Sequence, residues 1–311
     1  MYVGKYRGKY RHENDMSRVL QRAWDNGVSK IIITAGNLKQ SRKSLELAKQ
    51  DPRLYSTVGV HPTRCSEFTE ENQDKMMEEL IAVGKEGKAQ KKIVAVGELG
   101  LDYDRLFFCN KEAQQKYFRF QFKLIRALDL PLFLHERNCM EDFLEILKEE
   151  DPEHHLRGCV HSFTGTKEEA KKILDAGFYI GFNGSGMRTE ESLEVIKSVP
   201  LEKMLLDTGF CLLYVLTADG PYCGISSTHA GYKYVKTHFP VKKLEKYDPD
   251  SLVKGRNEPC CMIQVLEVVA GVHGVPVEEA ASVIYKNTQE LYFPWELWCV
   301  CYRIPDRCSK S

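Results

Sequence analysis

The stretch KIVAVGELGLDYD, residues 92–104, decides how the rest of the chain is read. An apolar run, Ile93 to Val96, stops at Gly97, and Glu98, Gly100, Asp102 and Asp104 follow at once. A short, continuously apolar run is the pattern of a strand buried on both faces of a parallel sheet. A glutamate between glycines at its end is either a turn residue or part of a site built at one edge of the sheet. The ends of the other strand-like runs separate these possibilities.

Such runs recur at Lys30–Ala35, Leu54–Val60, Pro131–Leu134, Gly158–Val160, Phe178–Phe182 and Lys203–Leu206. All are too short for an ordinary helix. Between them lie helical patterns at Ser17–Trp24, Ala113–Leu128, Glu141–Glu149, Lys167–Ala176 and Glu191–Ser198. Regular strand–helix alternation predicts an α/β fold with a parallel sheet, and the number of units predicts a TIM-type (β/α)8 barrel. No convincing internal repeat or long linker divides the chain.

Several runs end on chemistry. The run at 54–60 leads into His61-Pro62, the run at 131–134 into His135-Glu136-Arg137-Asn138, and the run at 158–160 into His161-Ser162. In a parallel barrel all these positions lie on the C-terminal face, where loops from distant parts of the sequence meet. One histidine after a strand is commonly a hydrogen-bonded core residue, and one glutamate after a glycine is commonly a turn. Three imidazoles and a carboxylate at the same topological position point instead to a divalent metal site.

The bulk composition sets limits. The 311 residues are 43% apolar and 28% charged, with 44 basic and 44 acidic side chains, so no global basic field argues for nucleic acid. No apolar run has the length of a membrane span, and the polar start MYVGKYRGKYRHEND is not a secretory signal. The eleven cysteines show no CxxC pair, which favours reduced thiols in the nucleus or cytoplasm over a disulfide framework. Cys260-Cys261 and Cys299/Cys301 lack a partner pair at zinc-finger spacing.

The motifs VAVGELGLD, LPLFLHERN, VHSFTGT, YIGFNG, VGVHPTRC and STHAGYKYVKTHFP with RNEPC closely resemble the TatD family of metal-dependent deoxyribonucleases, in its eukaryotic branch. The resemblance covers about Arg11 to Pro294. It implies a barrel of the metal-dependent hydrolase kind over residues 1–294, with 295–311 as a tail outside it. It also implies a one- or two-metal site that hydrolyses DNA phosphodiesters, commonly as a 3′–5′ exonuclease, with Mg²⁺, Mn²⁺ or Zn²⁺ as cofactor. Carried over by position, Glu98 resembles the carboxylate that bridges the metals, and His135 and His161 resemble ligands of one metal. His61 resembles a residue that either contacts the substrate phosphate or supports the metal ligands from behind. Arg64, Arg137 and Lys233 are candidate phosphate contacts, because guanidinium forks match phosphate oxygens, although solvated surface charge explains them equally well.

Two departures from the family pattern stand out. The family's opening strand carries an Asp-x-His-x-His motif, and here residues 1–15 contain neither a β run nor that motif, so the first strand is expected to be missing. His12 is the only early histidine and is expected to be exposed. The family's last strand ends in a Glu-Thr-Asp-Ala-Pro-like motif, and here Asp207-Thr208 is separated from Asp219-Gly220-Pro221-Tyr222 by an apolar segment, 209–218. Asp219 is the preferred metal-binding and catalytic aspartate, with Asp207 as its rival. Either 203–206 is the last strand and 209–218 an insertion, or 211–216 is the strand. The expected function is a DNA-cleaving hydrolase, with no membrane partner. The alternatives are a catalytically weak TatD-like barrel acting as a binding protein and a related amide or ester hydrolase.

Overall fold

The computed structural model describes residues 4–6, 8–208 and 224–296. Seven parallel strands form one sheet in strict sequence order: β1 (Ile31–Ile33), β2 (Leu54–Val58), β3 (Ile93–Asp102), β4 (Leu132–Arg137), β5 (Gly158–Val160), β6 (Tyr179–Phe182) and β7 (Met204–Leu206). Sequence-ordered parallel strands with intervening helices are the winding of a TIM-type barrel. Among the described residues no strand precedes β1 in this sheet, and β1 and β7 do not pair with each other. Residues Lys5–Tyr6 and Lys9–Tyr10 form a separate two-stranded hairpin.

The helices are α1 (Met16–Asp25), α2 (Leu38–Ala48), α3 (Gln73–Ala89), α4 (Lys111–Phe120), α5 (Phe122–Leu128), α6 (Met140–Glu150), α7 (Lys167–Asp175), α8 (Glu190–Ser198), α9 (Met262–His273) and α10 (Val277–Tyr292). Their caps are legible locally. Thr166 opens α7 with a reciprocal capping box to Glu169, and Asn110 caps α4 through the Ala113 amide. The pattern at Ala113–Leu128 is two helices and not one. Gln121 interrupts it because its buried side chain leaves the helix axis to bond both the amide and the carbonyl of Val60, at 2.7 and 2.9 Å.

The main core lies between sheet and helices, with Phe118, Phe122, Phe143 and Leu80 fully buried. A second cluster joins Tyr55, Ala95, Phe133, Cys159 and Leu205 from five strands to Phe293 after α10. These strand residues alternate with outward ones, as barrel-interior positions must. The interior is therefore plugged with side chains below the face on which the histidines emerge. No single helix among the described residues is long and apolar enough to cross a membrane.

The largest difference from the sequence reading is in β3. The strand does not stop at Val96. It continues to Asp102 through a register shift between Gly97 and Leu99, so that Gly97 pairs with Phe133, Leu99 with Leu134, and Glu98 is the extra residue. A bulge bends the strand and re-aims the added side chain. Gly97 (φ 155°) and Gly100 (φ 139°) hold backbone conformations unsuited to other residues, and a Cβ at Gly100 would lie 2.0 Å from the carbonyl oxygen of His135. β4 likewise extends through His135 to Arg137, so His135 lies within a strand and not after one.

Candidate metal centre

The Glu98 carboxylate is the hub of the C-terminal face. Its backbone amide is held by the carbonyl of Ala35 at 2.8 Å, which fixes the bulge against the loop after β1. Its Oε1 lies 2.7 Å from His161 Nε2, 2.9 Å from His135 Nδ1 and 3.3 Å from His61 Nε2. Three strands thus deliver three imidazoles to one carboxylate oxygen. Ligand atoms of Glu98, His135 and His161 all lie within 4.8 Å of one another, the spacing of a group able to hold one ion. Burial alone would push the Glu98 carboxyl up, but the electrostatic pull of the neighbouring His61 and His161 rings and the hydrogen bonds with His135 and His161 hold it well below the usual carboxylate range.

Each imidazole is oriented by a further partner. His61 Nδ1 accepts the Thr63 amide at 3.1 Å, so in the neutral ring the proton sits on Nε2 and faces Glu98. Burial lowers the pKa of His61 and favours that neutral form. His161 stacks on Phe133 at 4.4 Å, and its Nδ1 lies 3.8 Å from Asp207 Oδ2. Burial would lower the His161 pKa, but the Glu98 charge and the Asp207 carboxylate raise it to about 9. His135 points Nδ1 at Glu98 and Nε2 at Asp102 Oδ2, 3.2 Å away.

Asp102, the last residue of β3, lies beside the site, a position that the apolar run ending at Val96 does not reveal. It is fully buried, its Oδ2 also accepts from Arg105 at 2.5 Å, and its Oδ1 has no hydrogen-bond partner among the described residues. Despite burial, the bonds from His135 and Arg105 hold its pKa at about 2. The signal was present in the spacing: Glu98, Gly100 and Asp102 alternate to one face if the strand runs on past Gly97.

The other expected residues divide. Asp207 follows β7 and is fixed by the Ser162 amide at 3.0 Å and by Asn183 Nδ2 at 2.7 Å. Met204–Leu206 pairs with β6, so 203–206 does supply a strand, while Asp219 and the 209–218 segment lie outside the described residues. Arg137 stands two residues beyond His135 on the same face of β4, with its guanidinium on the Ser162 carbonyl at 3.0 Å. Arg64 is exposed; its backbone amide bonds the His61 carbonyl at 2.8 Å, but its guanidinium turns to Glu67 at 3.2 Å, and Lys233 pairs with Glu190 at 2.9 Å. His12 is not the exposed residue expected. It is half-buried, stacked on Tyr247 at 4.0 Å and bonded to the Tyr6 hydroxyl at 3.1 Å.

A buried ion network absent from the sequence reading lies beside this face. Arg256 forks onto Asp15 at 3.1 and 2.7 Å and reaches Glu258 at 2.7 Å, while Arg22 bonds the far side of Glu258 at 2.9 Å. It ties α1 to the RNEPC segment, whose Asn257 bonds the Thr208 carbonyl at 2.6 Å just after β7.

The sequence profile described as TatD related DNase matches residues 8–293. The chain belongs to the TatD family. Among TatD relatives, the Deoxyribonuclease Tat-D of Schizosaccharomyces pombe is 39% identical over 295 residues, covering 94% of this chain and 91% of the relative. The 3′-5′ ssDNA/RNA exonuclease TatD of Shigella flexneri is 35% identical, covering 89% of this chain and 93% of the relative. The crystal structure of a hydrolase TatD family protein from Entamoeba histolytica superposes with a TM-score of 0.84 at 37% identity, covering 94% of each chain. TatD membership makes the barrel and the metal-dependent class of the site firm.

Proposed function

We propose that this chain is a divalent-metal-dependent hydrolase of DNA phosphodiester bonds, acting as a 3′–5′ exonuclease. The observation that carries the proposal is the single Glu98 oxygen ringed by three imidazoles on the C-terminal face. The mixed imidazole–carboxylate donor set fits Zn²⁺ or Mn²⁺, and Mg²⁺ if further carboxylates join. Glu98, His135 and His161 would hold the ion, with an aspartate from the end of the sheet, Asp207 or Asp219, completing the site as base. The ion supplies Lewis acidity that balances charge on the phosphate oxygens.

The remaining roles belong to the chain's own side chains. His61 presents Nε2–H as a donor to a phosphate oxygen that enters beside Glu98. Arg137 adds a guanidinium on the same face, and Arg64 is proposed as a rim contact that exchanges Glu67 for phosphate. Asp207 and Phe133 keep the His161 ring aimed at Glu98. The relatives named deoxyribonuclease and ssDNA/RNA exonuclease support the substrate.

The division into a barrel over 1–294 and a tail over 295–311 belongs to the same proposal. So does a nuclear or cytoplasmic location, which the six free, buried cysteines among the described residues support.

A second reading, a barrel that binds nucleic acid and turns over slowly, draws on one observation. Among the described residues no strand precedes β1 in the seven-stranded sheet, and His12, the imidazole ahead of it, bonds Tyr6 and Glu13 rather than Glu98. Metal-dependent release of nucleotides from a labelled single-stranded oligonucleotide separates the two. Release by the parent and none by Glu98→Ala supports the hydrolase, whereas binding without release under every divalent ion refutes it.

A further inference from the structure

The loop between β3 and α4 carries two exposed aromatic side chains on the site's face. Phe107 is 77% exposed and Phe108 59%, with Leu106 beside them at 41%. The two rings lie against each other, centroids 4.3 Å apart at 40°. They begin a few residues beyond Asp102, on the loop that leaves the strand bearing Glu98, so they belong to the C-terminal face.

The loop is braced. One fully buried amide, Gln114, accepts the Asp102 amide at 2.8 Å and donates to the carbonyls of Asp102 at 2.9 Å and Cys109 at 2.8 Å, closing both ends. Cys109 is buried in the main core, and the Phe108 amide bonds the Arg105 carbonyl at 3.1 Å. Two adjacent aromatic rings exposed on a rigid base form an apolar patch of the kind that marks a binding surface.

We infer that Phe107 and Phe108 form a stacking platform for an unpaired base of a single-stranded nucleic acid whose scissile phosphate lies at Glu98. The inference rests on the functional reading above and adds the residues that would hold an unpaired base of the substrate. Stacking on aromatic rings is available to every base, because each has a π-face, so the platform tolerates any sequence. A paired base cannot turn onto the rings without leaving its duplex, so the platform favours single strands. A protein partner is the weaker occupant. Phe107 and Phe108, 77% and 59% exposed, together offer about 200–340 Å² at roughly 150–250 Å² per aromatic side chain, well short of the roughly 800 Å² per side of a stable interface.

The test is equilibrium binding of a short oligodeoxynucleotide with a fluorescent base analogue at its 3′ end, in chelator, so that no cleavage intervenes. Phe107→Ala and Phe108→Ala should each weaken binding by about 10-fold, within the range of roughly 5- to 150-fold for loss of one stack, and Phe107→Trp should preserve it. An oligonucleotide abasic at the 3′ end should bind the parent weakly and show little further loss with the alanine variants.

Equal affinity of parent and variants overturns the platform, as does an equal loss for the abasic strand. Sedimentation in which the rings mediate self-association while leaving binding untouched overturns it as well. Failure of the functional reading is separable. A parent that cleaves while the variants bind as tightly keeps the function and loses the platform. A parent that binds through the rings and never cleaves keeps the platform and loses the function.

Discussion

Replacing Asp102 with alanine tests how the site holds its histidine. His135 has one nitrogen on Glu98 and the other on Asp102, 3.2 Å away. A metal ligand must offer its lone pair on the metal side, which requires the proton on the opposite nitrogen. Asp102 supplies the acceptor for that proton, and burial with an orphaned Oδ1 concentrates its bonding on Oδ2. A hydrogen bond to a charged acceptor is worth about 1.5–3 kcal/mol. That range corresponds to roughly 10- to 100-fold in metal affinity, the usual effect of removing a carboxylate behind a metal-bound histidine. Asp102→Ala should therefore weaken ion binding by that factor in a chelator-competition titration, with the circular dichroism of the parent. Asp102→Asn should lose less, since its amide oxygen still accepts. Nitrogen-15 chemical shifts of His135 should show the proton leaving Nε2 in the alanine variant. Unchanged affinity together with an unchanged tautomer would refute the reasoning, because His135 would then be oriented by packing alone.

Arg256→Met should destabilise the fold by about 3–5 kcal/mol, since it leaves Asp15 buried without its fork while Arg22 still serves Glu258; a urea midpoint within error of the parent would contradict this. Gly100→Ala should cost more than about 1 kcal/mol and weaken metal binding as well, because the new Cβ meets the His135 carbonyl; calorimetric unfolding and metal titration should move together. In metal-free protein His161 is raised from 6.5 to about 9, so its charged form stabilises the fold fully below about 6.5, and that contribution fades as pH rises through 9. Urea stability of the chelated protein should fall across this window. Because the ion requires the neutral ring, binding at pH 7 should release about one proton, measurable by calorimetry in buffers of different ionisation enthalpy.

The barrel was legible because buried parallel strands announce themselves as short apolar runs, and because chemistry-bearing residues follow them at one topological position. Glu98, His61, His135 and His161 were found that way, one strand at a time. What stayed hidden was held in relations between strands. The bulge at Glu98 is visible only against β4, since Gly97 reads as a strand end until the pairing of Leu99 with Leu134 is known. Asp102 was hidden behind that false end. Gln114 and Gln121 read as polar residues on helical patterns, although both are buried, Gln114 bonding backbone groups of the loop before its own helix and Gln121 the distant Val60. The pairing of Asp15 with Arg256 spans nearly the whole chain and leaves no local mark.

The central claim is that one ion, held at Glu98, makes this chain a nuclease. Its most direct test measures metal content after chelator stripping and reloading, alongside nucleotide release from a single-stranded oligonucleotide, for the parent and Glu98→Ala. One tightly held ion per parent chain with metal-dependent release is expected, and loss of both in a variant that keeps its circular dichroism. A Glu98→Ala protein that holds the ion and digests DNA at the parent rate would contradict it.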